Sequence, residues 1–395
     1  MTRPIPDLVV IGAGVMGAWT ALRAQESGLR TLLVDAFGIA HARASSSDQT
    51  RLTRASHADD LLFTRWSRRA LASWLRLEQA TGERLFVPSG VLWFARRNDG
   101  FEAASERTLT AEGIPVEHLS PAALEARWPQ VSAAGLAFAM YEAEAGLLLA
   151  RDAIAAVVRA FVAGGGRFEV ASVRPVEADA GRLSSVRTSD GEEIRAGSWV
   201  FACGPWLPRL FPALLGDMIR VTKQDVAYFG PPPGDGRFGP EWLPGWVDYD
   251  AAFYGAPAID GGGAKAASDR YGPVFDPTDG ERVVDPDTVR RARRYLASRL
   301  PDLASQPVTE TRVCQYEPTP DSNFLIDGHP DLANAWLVGG GSGHAFKHGP
   351  VIGETALALV VGEPAPPGHD RFRLAAPRTQ KVALRAGGDS DVDWV

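Results

Sequence analysis

A strand, a glycine turn and a helix in immediate succession limit what this chain can fold into more than any other feature. Residues Asp7 to Gly12 are a short apolar run, and Gly12-Ala13-Gly14-Val15-Met16-Gly17 has the spacing G-x-G-x-x-G. The small residues that follow predict a helix through about Gln25, and Thr31 to Val34 predicts a second strand, so the opening is that of a parallel sheet. Gly12 permits the tight turn, Gly14 lets backbone approach a pyrophosphate, and Gly17 lets helix and strand pack closely. The helix N-terminus supplies N–H groups and a positive dipole end. Asp35 closes the second strand, where a carboxylate can accept hydrogen bonds from a ribose diol. A dinucleotide is the expected ligand, and the fingerprint by itself leaves FAD and NAD both open.

At 395 residues the chain exceeds the usual size of one hydrophobic core, so two intertwined domains are expected. A formal charge of -7 disfavours nucleic acid or an anionic membrane as a partner, since either needs a concentrated basic patch. Two cysteines build no disulfide framework, and no apolar stretch reaches membrane-spanning length. With a strand starting near the N-terminus in place of a signal peptide, the expected compartment is the cytoplasm. Histidines are scattered without a metal-ligand spacing, so no metal is expected.

Further along, Trp66, Leu71, Trp74 and Leu77 are spaced to cover one face of a helix from about Leu61 to Thr81, followed by a strand over Gly90 to Ala95. Helical spacing returns at Ala150 to Ala163, leading through three glycines into a strand from Phe168 to Val173. Ser198 to Gly204 reads as another strand ending in glycine. Between Val221 and Val313 the texture changes to short aromatic strands and proline loops, with one helix near Asp287 to Leu300, which suggests an inserted antiparallel region. A strand at Trp336 to Gly339, a glycine turn and a helix from Gly349 to Val361 then restore the first pattern. The predicted division is a discontinuous nucleotide-binding domain (1–85, 147–218 and 317–375) and a second domain (86–146 and 219–316). From about Ala376 the chain turns polar and small, predicting a poorly ordered tail over 376–395.

Two later features narrow the ligand. Cys314 lies in Val313-Cys314-Gln315-Tyr316 and is followed by the run Gly339-Gly340-Gly341-Ser342-Gly343-His344-Ala345-Phe346-Lys347. With the fingerprint, Asp35 and the loop Asp48-Gln49-Thr50-Arg51-Leu52-Thr53-Arg54 in chain order, the sequence resembles the monomeric sarcosine oxidase family of flavin amine oxidases, part of the D-amino-acid oxidase superfamily. The likeness covers roughly Leu8 to Glu363. It implies an α/β fold: a glutathione-reductase-type FAD-binding Rossmann domain carrying a substrate domain on a mixed, largely antiparallel sheet. It also implies a monomeric FAD-dependent oxidase that turns small secondary amines or imino or amino acids into imines and reduces O2 to hydrogen peroxide.

By the same resemblance Cys314 is the flavin-linking thiol, with Tyr316 beside it on the substrate side. Lys347 and Arg54 are implied as anchors for the substrate carboxylate, a planar guanidinium being suited to two parallel bonds. Arg51 falls against the ring, Lys265 where O2 would be activated, and Tyr254 in the active-site strand. Cofactor contacts are implied at Gly12, Gly14, Met16, Gly17, Asp35, Ser47, Thr50, Arg51, Val173, Cys203, Gly204, Gly341, Gly343 and Lys347. Cys203 also reads as a small buried hydrophobe, and Arg51 and Arg54 as ordinary solvent-facing charge.

The chain departs from the family pattern at two places. Asp269 stands where the sarcosine oxidases carry a histidine, so an anion capable of holding a protonated amine or a ring N–H replaces it. Ser56-His57-Ala58-Asp59-Asp60 replaces the family's aromatic, glycine and glutamate gate. Both put small N-methyl amino acids in doubt as substrates while leaving the FAD framework intact. Two alternatives stay open: a flavin dehydrogenase serving another electron acceptor, and a flavin-binding subunit without turnover.

Overall fold

The computed structural model describes residues 4–176 and 181–378. Strands Leu8–Ile11 and Thr31–Asp35 run parallel, with Leu8 opposite Thr31, and helix Val15–Glu26 connects them. All nine strand residues are buried, as expected of a parallel sheet covered on both faces. Gly12 has φ +104°, and a Cβ there would overlap the Ala202 carbonyl. A Cβ on Gly17 would overlap the carbonyl of Gly12, so the start of the helix rests directly on the strand end.

Six strands form this first sheet, in the spatial order Leu325–Gly328, Ala335–Gly339, Ser198–Phe201, Leu8–Ile11, Thr31–Asp35 and Arg167–Val170. Only the pair Leu325–Gly328 and Ala335–Gly339 is antiparallel. The strand expected over Phe168 to Val173 is shorter, ending at Val170. Beyond it the Ala171 amide bonds the Asp35 carbonyl and Val173 makes an isolated bridge to Thr188, because the chain turns away to cover the sheet edge. Helices Leu61–Thr81, Ala150–Ala163 and Gly349–Val361 have the limits expected from their spacing. Gly353 presses on the backbone at Trp19, and Trp19 meets Trp74 edge to face at 5.0 Å, which locks three helices together.

A second sheet of eight strands runs Val308–Tyr316, Thr222–Phe229, Ala264–Ser268, Phe253–Ala256, Gly245–Asp248, Val91–Ala95, Phe138–Glu142 and Glu117–Leu119. It is antiparallel except where Gly245–Asp248 lies parallel to Val91–Ala95, so the sheet is mixed. Helix Pro286–Arg299 packs Ala292, Tyr295 and Leu296 into the core beside this sheet. A three-stranded sheet, with Gly146–Leu149 between Thr50–Thr53 and Phe86–Val87, completes the fold of the region carrying Arg51 and Arg54. No helix among the described residues is long and apolar enough to cross a membrane. The tail expected to be poorly ordered lies, from residue 379 on, outside the described residues.

Candidate active site

Around the glycine turn the first sheet opens into a cavity of about 390 Å³. Its wall includes Gly12, Gly14, Met16, Asp35, Ser45, Ser46, Arg51, Val173, Cys203, Gly204, Tyr316, Gly341 and Gly343. Asp35 accepts from the Ala13 amide at 2.8 Å and from the Phe37 and Gly38 amides at 2.8 and 3.1 Å, so its carboxylate braces the turn while facing the cavity. Ser46 accepts the Val15 amide at 2.9 Å at the helix start. Cys203 donates to the Ile11 carbonyl at 3.3 Å, and burial pushes its thiol up, which makes it a packing residue of the wall. Ser47 and Gly17 do not line the cavity: the Ser47 carbonyl accepts from Arg51 at 3.0 Å, and Gly17 sets the helix contact.

A smaller cavity of about 40 Å³ shares Arg51, Tyr316, Gly343 and Phe346 with the first. Thr50, Arg54, Tyr254, Lys265, Cys314 and Lys347 also line it, and with Leu147, Gln224 and Val226 the wall draws on seven separate stretches of chain. Lys265, the second residue of strand Ala264–Ser268 and 3% exposed, donates to Asp48 at 2.7 Å and to the Thr50 carbonyl at 2.9 Å. Asp48 also accepts from Arg51 and from the Tyr228 hydroxyl. Burial alone would raise the Asp48 carboxyl, but Lys265, Arg51 and the Tyr228 bond hold it well below the usual range. Burial lowers the Lys265 ammonium, with Asp48 opposing. The sequence offered no signal for the Asp48–Lys265 pair, because the partners are 217 residues apart.

Cys314 faces Gln224 across the sheet, and its sulfur lies 3.4 Å from the Arg51 guanidinium. Burial pushes this thiol up and Arg51 opposes the shift. Lys347 is buried in a short 3-10 turn ahead of helix Gly349–Val361, its Nζ donating to the His344 carbonyl at 3.1 Å. Trp74 fixes that turn by donating to the Lys347 carbonyl at 3.0 Å. Arg54 does not face solvent: it is 8% exposed, donates to the Ser56 carbonyl and lies 4.9 Å over the Trp93 ring.

Asp269, 7% exposed, accepts from the Tyr316 hydroxyl at 3.2 Å and stands behind Tyr316 rather than on the small cavity's wall. Tyr254 is pushed up to about 12, chiefly by burial, with Arg51 opposing and Asp269 adding to it. His57, His344 and His348 lie buried together behind Arg54 and Lys347, with the His57 and His348 rings 5.5 Å apart. Burial first, and the cations Arg54 and Lys347 next, hold His57 well below the ordinary histidine range, so it is neutral. Among the described residues no group of three or more His, Cys, Asp or Glu side chains is arranged to hold a metal ion.

The family model described as FAD dependent oxidoreductase matches residues 7–359. The chain belongs to that family. Among its relatives, a monomeric sarcosine oxidase from Streptomyces avermitilis is 32% identical over 383 residues, covering 94% of this chain and 99% of the relative. An N-methyl-L-tryptophan oxidase from Salmonella enteritidis is 28% identical, covering 93% and 98%. In fold, this oxidoreductase superposes on a fructosyl peptide oxidase from E. terrenum with TM-score 0.82 at 20% identity, covering 99% and 96%. It superposes on L-proline dehydrogenase from P. horikoshii with TM-score 0.81 at 19% identity, covering 94% and 98%.

The residues present fit FAD. The larger cavity gives a glycine cradle at a helix N-terminus for a pyrophosphate and a braced carboxylate for a ribose. Room for backbone-close approach continues at Gly341, where a Cβ would come within 3.1 Å of Glu317 and 3.3 Å of Ala345. Two residues of this site, Tyr228 and Glu317, carried no signal in the sequence, and Asp48 was named only as part of the loop that ends at Arg54. A charged or polar side chain reads as a solvated one until the element that buries it is known.

Proposed function

We propose that this FAD-dependent oxidoreductase oxidises the carbon–nitrogen bond of a secondary amine or of an α-amino or α-imino acid, working as a monomer, with O2 as the final oxidant. In balance, the amine loses two electrons and two protons to become an imine, and O2 takes both to become hydrogen peroxide. The observation that carries the reading is the convergence of Arg54, Lys347, Lys265 and Cys314 on one small cavity that adjoins the cradle for FAD. The names of the oxidase relatives support it.

FAD, held by Gly12, Gly14, Met16, Asp35, Val173, Gly204, Gly341 and Gly343 and tethered through the Cys314 thiol, supplies the two-electron acceptor. Arg54 and Lys347 bind the substrate carboxylate, and the stacking of Arg54 on Trp93 fixes the guanidinium plane for a two-bond contact. Tyr316 and Tyr254 frame the amine, with Asp269 orienting the Tyr316 hydroxyl. Lys265, fixed by Asp48 and the Thr50 carbonyl, places a buried cation where negative charge develops as O2 is reduced. Arg51 holds the loop and the thiol in place through bonds to Asp48, to the Ser45 and Ser47 carbonyls and to Cys314.

Anaerobic mixing of the purified yellow protein with a panel of secondary amines, cyclic imino acids and aromatic N-methyl amino acids tests the reading. Bleaching of the flavin by at least one of them, with about one peroxide per substrate on readmitting air, is the expected result. Bleaching by none overturns it. For the tether, colour that stays with acid-precipitated protein and leaves it in Cys314→Ser is expected.

A further inference from the structure

Glu317 is the carboxylate that the chemistry above leaves without a task. It is 6% exposed and lies on the wall of the larger cavity. Its Oε1 accepts from the Ser45 hydroxyl, and its backbone carbonyl accepts from the Ser342 amide at 3.2 Å. A Cβ on Gly204 would lie 3.3 Å from Oε1 and one on Gly341 would lie 3.1 Å from Oε2, so the carboxyl is set between two glycine stretches of the cradle.

Ser45 locates it along the cavity. The adjacent Ser46 holds the Val15 amide at the helix start, which is the phosphate end. The Ser45 carbonyl holds Arg51 at 2.8 Å, next to Cys314, which is the ring end. Glu317 therefore sits midway, where an extended FAD carries the sugar-alcohol chain joining the two. That chain is neutral and its hydroxyls both give and accept, whereas a pyrophosphate would repel a carboxylate.

We propose that Glu317 contacts the cofactor itself, its carboxyl bonding a ribityl hydroxyl from the floor of the cavity, with Ser45 holding it in place. Burial pushes this carboxyl up to about 7, against the Ser45 bond and the Arg51 charge. The group therefore titrates closer to neutrality than an ordinary carboxyl.

The test uses the visible absorption and circular dichroism of the flavin-loaded protein, titrated from about pH 5 to about pH 9 around the ordinary and shifted carboxyl ranges. The expected result is a spectral transition with a midpoint near 7 in the wild type that is absent in the isosteric Glu317→Gln. A second measurement is reversible FAD binding to Cys314→Ser apoprotein, which Glu317→Ala should weaken about tenfold through loss of one hydrogen bond. A transition that persists unchanged in Glu317→Gln, or a Glu317→Ala protein that binds FAD as tightly as its parent, overturns the proposal. Both readouts are independent of turnover, so a protein that binds FAD and oxidises no amine sinks the amine reading and leaves this one standing.

Discussion

The anchoring role proposed for Arg54 depends on its removal from water. A guanidinium on an exposed loop spends its bonds on solvent, whereas Arg54 is held over Trp93 and bonded to the Ser56 carbonyl, so its position is fixed before any ligand arrives. Arg54→Lys keeps the charge and loses the planar fork. Steady-state kinetics should show KM for the carboxylate-bearing substrate rising about ten- to a hundredfold, the equivalent of about 1.5 to 3 kcal/mol for a charged hydrogen bond. Cys314 carries a different expectation. Its thiol is raised by burial, so little thiolate exists at neutral pH despite Arg51. Covalent attachment of added FAD to apoprotein should accelerate about tenfold per pH unit until the raised thiol pKa is reached. A pH-independent rate of tether formation would contradict this.

At the scale of elements, helix Leu61–Thr81 follows the segment that carries Arg54 and fixes its exit. Asp60 caps it by accepting the Phe63 amide at 3.2 Å. The same carboxylate takes two bonds from Arg371, at 3.0 and 2.7 Å, and the Arg371 guanidinium lies 4.8 Å over the Phe63 ring. A residue from the C-terminal part of the described chain thereby pins the loop that follows Arg54. Asp60→Ala should cost about 2 kcal/mol, one part cap and one part half-buried ion pair, measurable as a lowered urea midpoint. Arg371→Ala should cost less, because it leaves the cap intact. The helices of this layer were legible from spacing alone, since Trp66, Trp74 and Leu77 repeat at the period of a half-buried helix. The helices Phe101–Ala111 and Pro121–Arg127 and the strands Glu117–Leu119, Phe138–Glu142 and Gly146–Leu149 were not legible in this way, although the preceding strand Val91–Ala95 was. Their strands are only three to five residues long and one of them, Glu117–Leu119, buries no residue, so neither period is expressed.

Over the whole molecule, Asp48 fastens the three-stranded sheet to the eight-stranded one. It reaches Lys265 and Tyr228 on neighbouring strands of the eight-stranded sheet, Arg312 at 3.6 Å on a third, and Arg51 in the strand Thr50–Thr53 that begins two residues after it. Asp48→Asn removes the charge that compensates buried Lys265 and Arg51, and should destabilise the fold by about 3 to 5 kcal/mol in chemical denaturation. Asp48→Asn combined with Lys265→Met should recover much of that loss, since both buried charges of the pair are then gone. The pH dependence has a definite sign. A carboxyl held below its ordinary value of 3.8 contributes stability that is present above that value and lost as pH falls through the lowered one. The gap between wild type and Asp48→Asn should therefore narrow in strong acid.

The sequence alone determined the dinucleotide turn, because Gly12, Gly14 and Gly17 act within one strand and one helix, and it placed the helices whose apolar spacing is strong. Likeness of motifs, also a property of the sequence, put Arg54, Lys265, Cys314 and Lys347 forward as a set. Only the tertiary structure decided that Lys265 is paired with Asp48, that Arg54 stacks on Trp93, that Asp269 stands behind Tyr316, and that Glu317 faces the cavity. The physical reason is common to all four. Local conformation depends on neighbours a few residues away, whereas the charge state and direction of a buried polar side chain depend on what distant segments bring against it.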